Sequence, residues 1–109
     1  MATDILISAA DESGNMKEIG YLRGHNDLIV MLLGKRGIST DEDYSTIIVP
    51  HNIAQEIRIE IELKINELLI SELVLDKRVE EKYRHLFEKQ FLLTRALDRG
   101  GNIQISVPR

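Results

Sequence analysis

The strongest constraint in this sequence is the run from Ile53 to Leu75, which contains neither Gly nor Pro. Within it, apolar and charged side chains alternate from Ile57 to Ile65, a pattern typical of a half-buried strand. Three features favour a helix instead. The run is long for a strand, its polar residues are good helix formers, and Asn52 with Gln55 matches a capping box. We therefore predict a helix over 53–75, with a strand through Ile65 and a helix from Asn66 as the alternative.

A helix here carries two apolar stripes on roughly opposite sides, at ~100° per residue. The first stripe contains Ile57, Ile61, Ile65, Leu68 and Leu69. A surface helix in a monomer needs only one such stripe, and Asn66 occupies the position where a polar residue fixes the register of a coiled-coil seam. The second stripe therefore predicts an interface between copies of the chain, unless it is buried inside the monomer. The predicted interface residues are Ile59, Leu63, Asn66, Ile70 and Val74.

A second long helix is predicted over 78–99, where Gly100 and Gly101 provide the stop. Arg95 and Arg99 lie in its last turns, where cations complement the helix dipole. The pattern places one group of side chains on an apolar face: Val79, Tyr83, Leu86, Phe87, Leu93 and Leu97, with Phe91 at the border. It places another group on the polar face: Glu81, Arg84, His85, Glu88 and Lys89.

The remaining segments predict short strands and one short helix. Residues 4–9 and 16–22 form a hairpin around the turn-rich 11–15, and 46–49 and 102–107 are further strands. Residues 28–33, between a capping Asp27 and Gly34, favour a helix but also fit a buried strand. We predict one α+β domain over 1–109: a small antiparallel sheet, a long helical hairpin (residues 53–75 and 78–99) packed on one face, and a C-terminal strand in the sheet.

Composition limits the classes of function. The chain has 109 residues, no Cys and a net charge of −4, so thiolate chemistry and Cys-ligated zinc are excluded. No basic block is present, and we do not expect nucleic-acid binding. With only 5% aromatic residues, the core should be aliphatic. No apolar run long enough to cross a membrane and no signal peptide is visible, which predicts a soluble cytoplasmic protein with no membrane partner.

The sequence offers little catalytic or metal-binding chemistry. Glu81 and His85 have a spacing that could share a metal, but a third ligand is missing, so a solvated pair is the better interpretation. We predict no catalytic residues, no metal and no cofactor. The segment Gly34–Thr40 is the nearest approach to a phosphate loop, although it lacks the Walker spacing. Its candidate ligand-binding residues are Lys35, Arg36, Gly37, Ser39 and Thr40.

Two functional hypotheses follow. The first is a non-catalytic protein-interaction module that is homo-oligomeric and able to bind a further protein partner: an adaptor, an inhibitor or immunity-type protein, or an assembly subunit. It depends on the second apolar stripe. The second is a protein that binds a small ligand, such as a nucleotide or phosphorylated metabolite, through the Gly34–Thr40 loop.

Overall fold

The computed structural model describes residues 4–23, 27–38, 46–71 and 77–106, with side chains for 4–23, 28–38, 46–70 and 81–106. These residues form an antiparallel sheet and helices, as the α+β prediction requires. The strands are β1 (Ile5–Asp11), β2 (Met16–Leu22), β3 (Thr46–Val49) and β4 (Gly100–Ser106). The helices are α1 (Asp27–Lys35), α2 (His51–Ser71) and α3 (Lys77–Leu97).

The strand order is β2-β1-β4-β3, and every neighbouring pair is antiparallel. The predicted N-terminal hairpin is confirmed, because β1 pairs with β2. The predicted return of the last strand is also confirmed, since β4 lies between β1 and β3. Ile105 thus faces Ile7 on one side and Ile47 on the other. This row joins the N-terminal hairpin to the short strand β3.

The turn between β1 and β2 is built around the carboxylate of Asp11. Its Oδ1 atom accepts hydrogen bonds from the backbone N–H groups of Ser13 and Asn15, both at 2.9 Å. These bonds, that of Asn15 above all, lower the pKa of Asp11. Gly14 follows with a φ of 88°, a conformation that a side chain would disfavour.

The short helix α1 confirms the helical interpretation of residues 28–33 but ends later than predicted. It continues through Gly34, and Gly37, with a φ of 77°, is the left-handed residue that ends it. The N–H of Ile38 donates to the carbonyl of Leu33 at 3.0 Å, which closes the last turn. Gly34 is therefore a helical residue and not the stop.

Residues 51–71 are helical throughout, so the alternative of a strand to Ile65 is wrong. The helix starts directly after Pro50, whose carbonyl accepts a hydrogen bond from the N–H of Ala54 at 3.0 Å. Asn52 consequently lies inside the first turn and is exposed, so the predicted capping box is not the start of this helix. The ring of His51 instead contacts the carbonyl of Gly101 at 3.0 Å and ties the helix start to β4.

The helix α3 ends at Leu97, two residues before the predicted end. Asp98 and Arg99 form a turn, and Gly100, with a φ of 93°, begins β4. Arg99 does not serve the helix dipole as predicted. Its Nε donates to the carbonyl of Ala9 at 2.9 Å and its Nη2 to that of Asn15 at 2.8 Å, which fastens the β1–β2 turn to the start of β4.

Helices α2 and α3 pack against each other and against the sheet. The residues that would connect them, 72–76, lie outside the described residues, so the complete helical hairpin stays a prediction. The buried cluster between helices and sheet consists of Ala, Ile, Leu and Val side chains, as the low aromatic content predicts. Within the described residues, no helix is long and apolar enough to span a bilayer.

Candidate protein-interaction surface

The two apolar stripes of α2 have opposite environments. Ile57, Ile61 and Ile65 are buried against the sheet and α3. In a helix, a residue two positions along lies about 200° further around the axis. The alternation that resembled a strand therefore places every second Ile or Leu on the outer side.

Four predicted interface residues lie on that outer side of α2. Ile59, Leu63 and Ile70 are 47%, 55% and 77% exposed, and Asn66 is exposed between them. The alternative that this stripe is buried within the monomer is wrong for these residues. Val74, the fifth predicted residue, lies outside the described residues. Leu69, assigned to the inner stripe, is in fact half exposed.

Acidic side chains border the outer stripe of α2. Glu56, Glu62 and Glu67 are exposed, whereas the cations of the helix, Arg58 and Lys64, are only partly exposed at its edges. Arg58 lies 3.6 Å from Glu62, an i,i+4 pair along the helix. Among the described side chains of α2, the charged residues classed as exposed are thus all acidic.

The position of α2 is fixed on one side by an ion pair with α1. The Nη2 atom of Arg36 donates to Glu60, and its Nη1 donates to the carbonyl of Leu32 at 3.0 Å. The hydrogen bond from Arg36 is the main cause of the lowered pKa of Glu60. Glu56 lies 3.9 Å from Nε of the same guanidinium, which is largely buried. Sequence reasoning missed this clamp, because the two partners are far apart in the chain.

The outer face of α3 departs from the prediction. Phe87 was assigned to the core face and Phe91 to its border, yet they are 50% and 51% exposed. Lys89 was assigned to the polar face, yet it is 3% exposed and its Nζ donates to the carbonyl of His85 at 3.2 Å. The centre of the buried face lies nearer to Leu93 and Ala96, which rotates the helix relative to the predicted orientation.

Three aromatic side chains lie one turn apart along α3: Phe87 and Phe91 are half exposed, and Tyr83 is partly buried against the core. Tyr83 and Phe87, one turn apart, stack with ring centroids at 6.0 Å. The guanidinium carbon of Arg95 lies 5.7 Å from the centroid of the Phe91 ring, at cation–π distance. The i, i+4, i+8 spacing was visible in the sequence, but the same spacing also serves a core face. We call Tyr83, Phe87 and Phe91 the aromatic ridge.

Together, α2 and α3 carry most of the large exposed apolar side chains among the described residues. Of ten large exposed hydrophobic side chains among those described, six lie here: Ile59, Leu63, Leu69, Ile70, Phe87 and Phe91. Scattered exposed apolar residues are normal, but a concentration on one layer marks an interaction surface. We call these six residues the helical-layer surface.

A groove of about 510 Å³ adjoins the aromatic ridge where α3 passes the end of β2. It is lined by Tyr21, Arg23, Glu88 and Phe91 among others. Tyr21 donates a hydrogen bond to Asp4 at 3.2 Å, and burial, followed by the charge of Asp4, raises the pKa of Tyr21. The groove is open to solvent.

The predicted ligand-binding residues lie at the C-terminal end of α1. Lys35 is the last helical residue, and Arg36 and Gly37 form the turn after it; Ser39 and Thr40 lie outside the described residues. A helix C-terminus carries partial negative charge, which attracts cations rather than phosphate. The guanidinium of Arg36 already forms an ion pair with Glu60. The turn therefore has the features of an ordinary helix C-terminus and not those of a phosphate-binding loop.

The predicted weak metal pair, Glu81 and His85, lies one turn apart on α3. Within residues 4–23, 27–38, 46–71 and 77–106, no group of three or more His, Asp or Glu side chains is placed to hold a metal ion.

Comparison with known proteins adds no family to these observations: no family model, no curated protein and no solved structure matches the chain. The functional interpretation therefore depends on the residues themselves.

Proposed function

We propose that this chain is a non-catalytic protein-interaction module that assembles with further copies of itself through the outer face of α2. The observation that carries the proposal is the exposure of Ile59, Leu63 and Ile70 on a helix whose opposite stripe already fills the core. These side chains are not part of the buried core. Their burial in an assembly would contribute up to ~1.5–3 kcal/mol for each fully covered side chain.

The composition of the stripe supports a specific contact rather than a merely apolar one. Asn66 lies between Leu63 and Ile70, where a polar side chain lowers affinity but restricts register. Acidic neighbours keep the free surface hydrated and limit unspecific aggregation. Such a surface suits an adaptor, an inhibitor or immunity-type protein, or an assembly subunit.

The test is the mass of the assembly in solution. We expect light scattering after size exclusion, at micromolar concentration, to give a multiple of the 12.5 kDa chain. Leu63→Glu with Ile70→Glu should reduce it to one chain without changing the far-ultraviolet circular dichroism. Ile48→Glu is the matched control, because Ile48 is 52% exposed but lies on β3. A monomeric wild-type protein would refute the proposal.

The alternative of a ligand-binding protein gains no support from the C-terminal turn of α1. It remains testable by thermal melting with nucleotides and phosphorylated metabolites, since a ligand that favours the folded state raises the melting temperature. A rise that disappears in Lys35→Ala with Arg36→Ala, while Lys64→Ala retains it, would favour this alternative over self-association.

A further inference from the structure

The charges on α2 restrict how a second copy can be placed. In an antiparallel pair that sets Ile59 against Ile70 of the second copy, Leu63 faces Asn66, and the flanking e positions bring Glu67 beside Glu60 of the other helix. In a parallel pair about the same seam, Glu62 lies beside Glu67 of the other helix, because they occupy the flanking g and e positions. Both residues are exposed and acidic. A contact between two α2 helices therefore opposes like charges in either direction.

The outer face of α3 carries cations that can complement the acidic residues of α2. Among the side chains described on α3, the exposed basic residues are Lys82, Arg84 and Arg95, and the exposed acidic residues are Glu81 and Glu88. Arg95 lies against Phe91 within the aromatic ridge, whereas Glu88 lies beside β2 in the groove with Arg23. Arg95 is thus next to an aromatic side chain that would enter an interface, and Arg84 lies three residues before Phe87 on the same helix.

We propose that two copies associate about a two-fold axis, with α2 of each copy lying against α3 of the other; this rests on the self-assembly proposed above. The aromatic ridge packs on Ile59, Leu63 and Ile70, while Arg84 and Arg95 face Glu62 and Glu67. Two-fold symmetry repeats the contact, since each chain supplies one acidic aliphatic helix and one basic aromatic helix. Aromatic and Arg side chains are the types enriched at the energetic centres of interfaces.

The size of the surface agrees with this arrangement. A helix of 21 residues is ~31 Å long, and two adjacent helices are ~20 Å wide, so the layer presents ~600 Å². Two such layers bury ~1,200 Å² in total, at the lower end of the range for stable specific complexes. A contact limited to α2 would bury about half of that area.

Charge reversal distinguishes this arrangement from others. Variant A carries Glu62→Lys and Glu67→Lys, variant B carries Arg84→Glu and Arg95→Glu, and variant C carries all four substitutions. Variants A and B each oppose like charges, and we expect the dissociation constant to rise at least ~10-fold in each. Variant C restores opposite charges at both contacts and should return to within ~3-fold of the wild-type constant. Sedimentation equilibrium at low salt measures all three.

The outcomes separate the two proposals. A monomeric wild-type chain would refute self-assembly and this arrangement together. An oligomeric wild type whose affinity is unchanged in variant B would remove α3 from the interface and overturn only the arrangement. Dissociation of A, B and C alike would overturn the pairing of these charges. Circular dichroism checks that each variant is folded, and the neutral variant Arg84→Gln with Arg95→Gln gives a milder form of B if the reversal prevents folding.

Discussion

Helices α2 and α3 are equally long but use their side chains in opposite ways. The inner face of α2 is purely aliphatic, and its outer face repeats that aliphatic character between acidic residues. The inner face of α3 includes the stem of Lys89, while two Phe rings remain outside. The difference shows that hydrophobicity alone does not decide which face of a helix enters the core, because both helices also leave large apolar side chains exposed.

The largest effect that tests this comparison lies on α2. Ile61→Ala should lower the free energy of unfolding by ~2–5 kcal/mol, because Ile61 is fully buried and its loss leaves a cavity. Leu63→Ala, two residues along, should change it by less than ~1 kcal/mol, since Leu63 is already half exposed. Urea titrations measure these changes in the free energy of unfolding. Repeating them at a second protein concentration separates them from any effect of assembly, because assembly depends on concentration. Equal losses in both variants would contradict the assignment of inner and outer faces.

The next effect concerns the buried lysine of α3. Lys89→Ala should destabilise the chain by ~1–3 kcal/mol, because it removes the packed stem and the hydrogen bond to the His85 carbonyl. Lys82→Ala is the matched control, exposed on the same helix, and should change stability by no more than ~0.5 kcal/mol. Denaturant unfolding compares the two. An unchanged free energy of unfolding in Lys89→Ala would contradict the position of Lys89 on the buried face of α3.

A smaller effect tests the clamp between α1 and α2. The hydrogen bond from Arg36 lowers the folded-state pKa of Glu60 below its usual value of 4.5. The stabilisation is therefore complete above pH 4.5 and is lost as the pH falls through the lower folded-state pKa. Glu60→Gln should reduce stability by ~1 kcal/mol at neutral pH, since the carboxylate is partly screened by solvent.

The measurement is the unfolding midpoint between pH 7 and pH 3 for the wild type and Glu60→Gln. The difference between the proteins should shrink toward acid pH. Glu67→Gln, which removes an exposed carboxylate of the same helix, provides the control for general charge effects. A difference that stays constant with pH would exclude the ionised pair as its source.

The smallest effect belongs to the surface of α2. Arg58→Gln removes the i,i+4 pair with Glu62 and should change the free energy of unfolding by no more than ~0.5 kcal/mol. Thermal unfolding at low and high salt measures it, with salt expected to erase the difference. A loss above ~1 kcal/mol would show that this pair does more than an exposed ion pair can.

Most of the fold followed from local patterns. Turn residues at 11–15 and alternation at both chain ends predicted the strands, and the uninterrupted run from Ile53 predicted α2. Errors occurred where several interpretations shared one pattern. Asn52 with Gln55 matched a capping box, but the helix starts two residues earlier, directly after Pro50.

For the same reason, the sequence predicted the exposed stripe of α2 but not the aromatic ridge of α3. The outer stripe of α2 was visible because it exceeded what one helix face needs, and four of its residues are exposed as an interface requires. The aromatic ridge was hidden, since Tyr83, Phe87 and Phe91 have an i, i+4, i+8 spacing that fits a core face equally well. The roles of Arg36 and Arg99 depend on partners far along the chain, which no local pattern encodes.

The position of β4 has a consequence for the order of folding during synthesis. The strand that holds the two halves of the sheet together is the last of the four to leave the ribosome. Until it emerges, β1 and β2 can pair with each other, but β3 has no neighbouring strand, and one edge of β1 stays open. Arg99 emerges just before β4, so the hydrogen bonds by which it attaches the β1–β2 turn to the start of β4 cannot form earlier. A stalled nascent chain would therefore present unpaired strand edges, which are a hazard for aggregation.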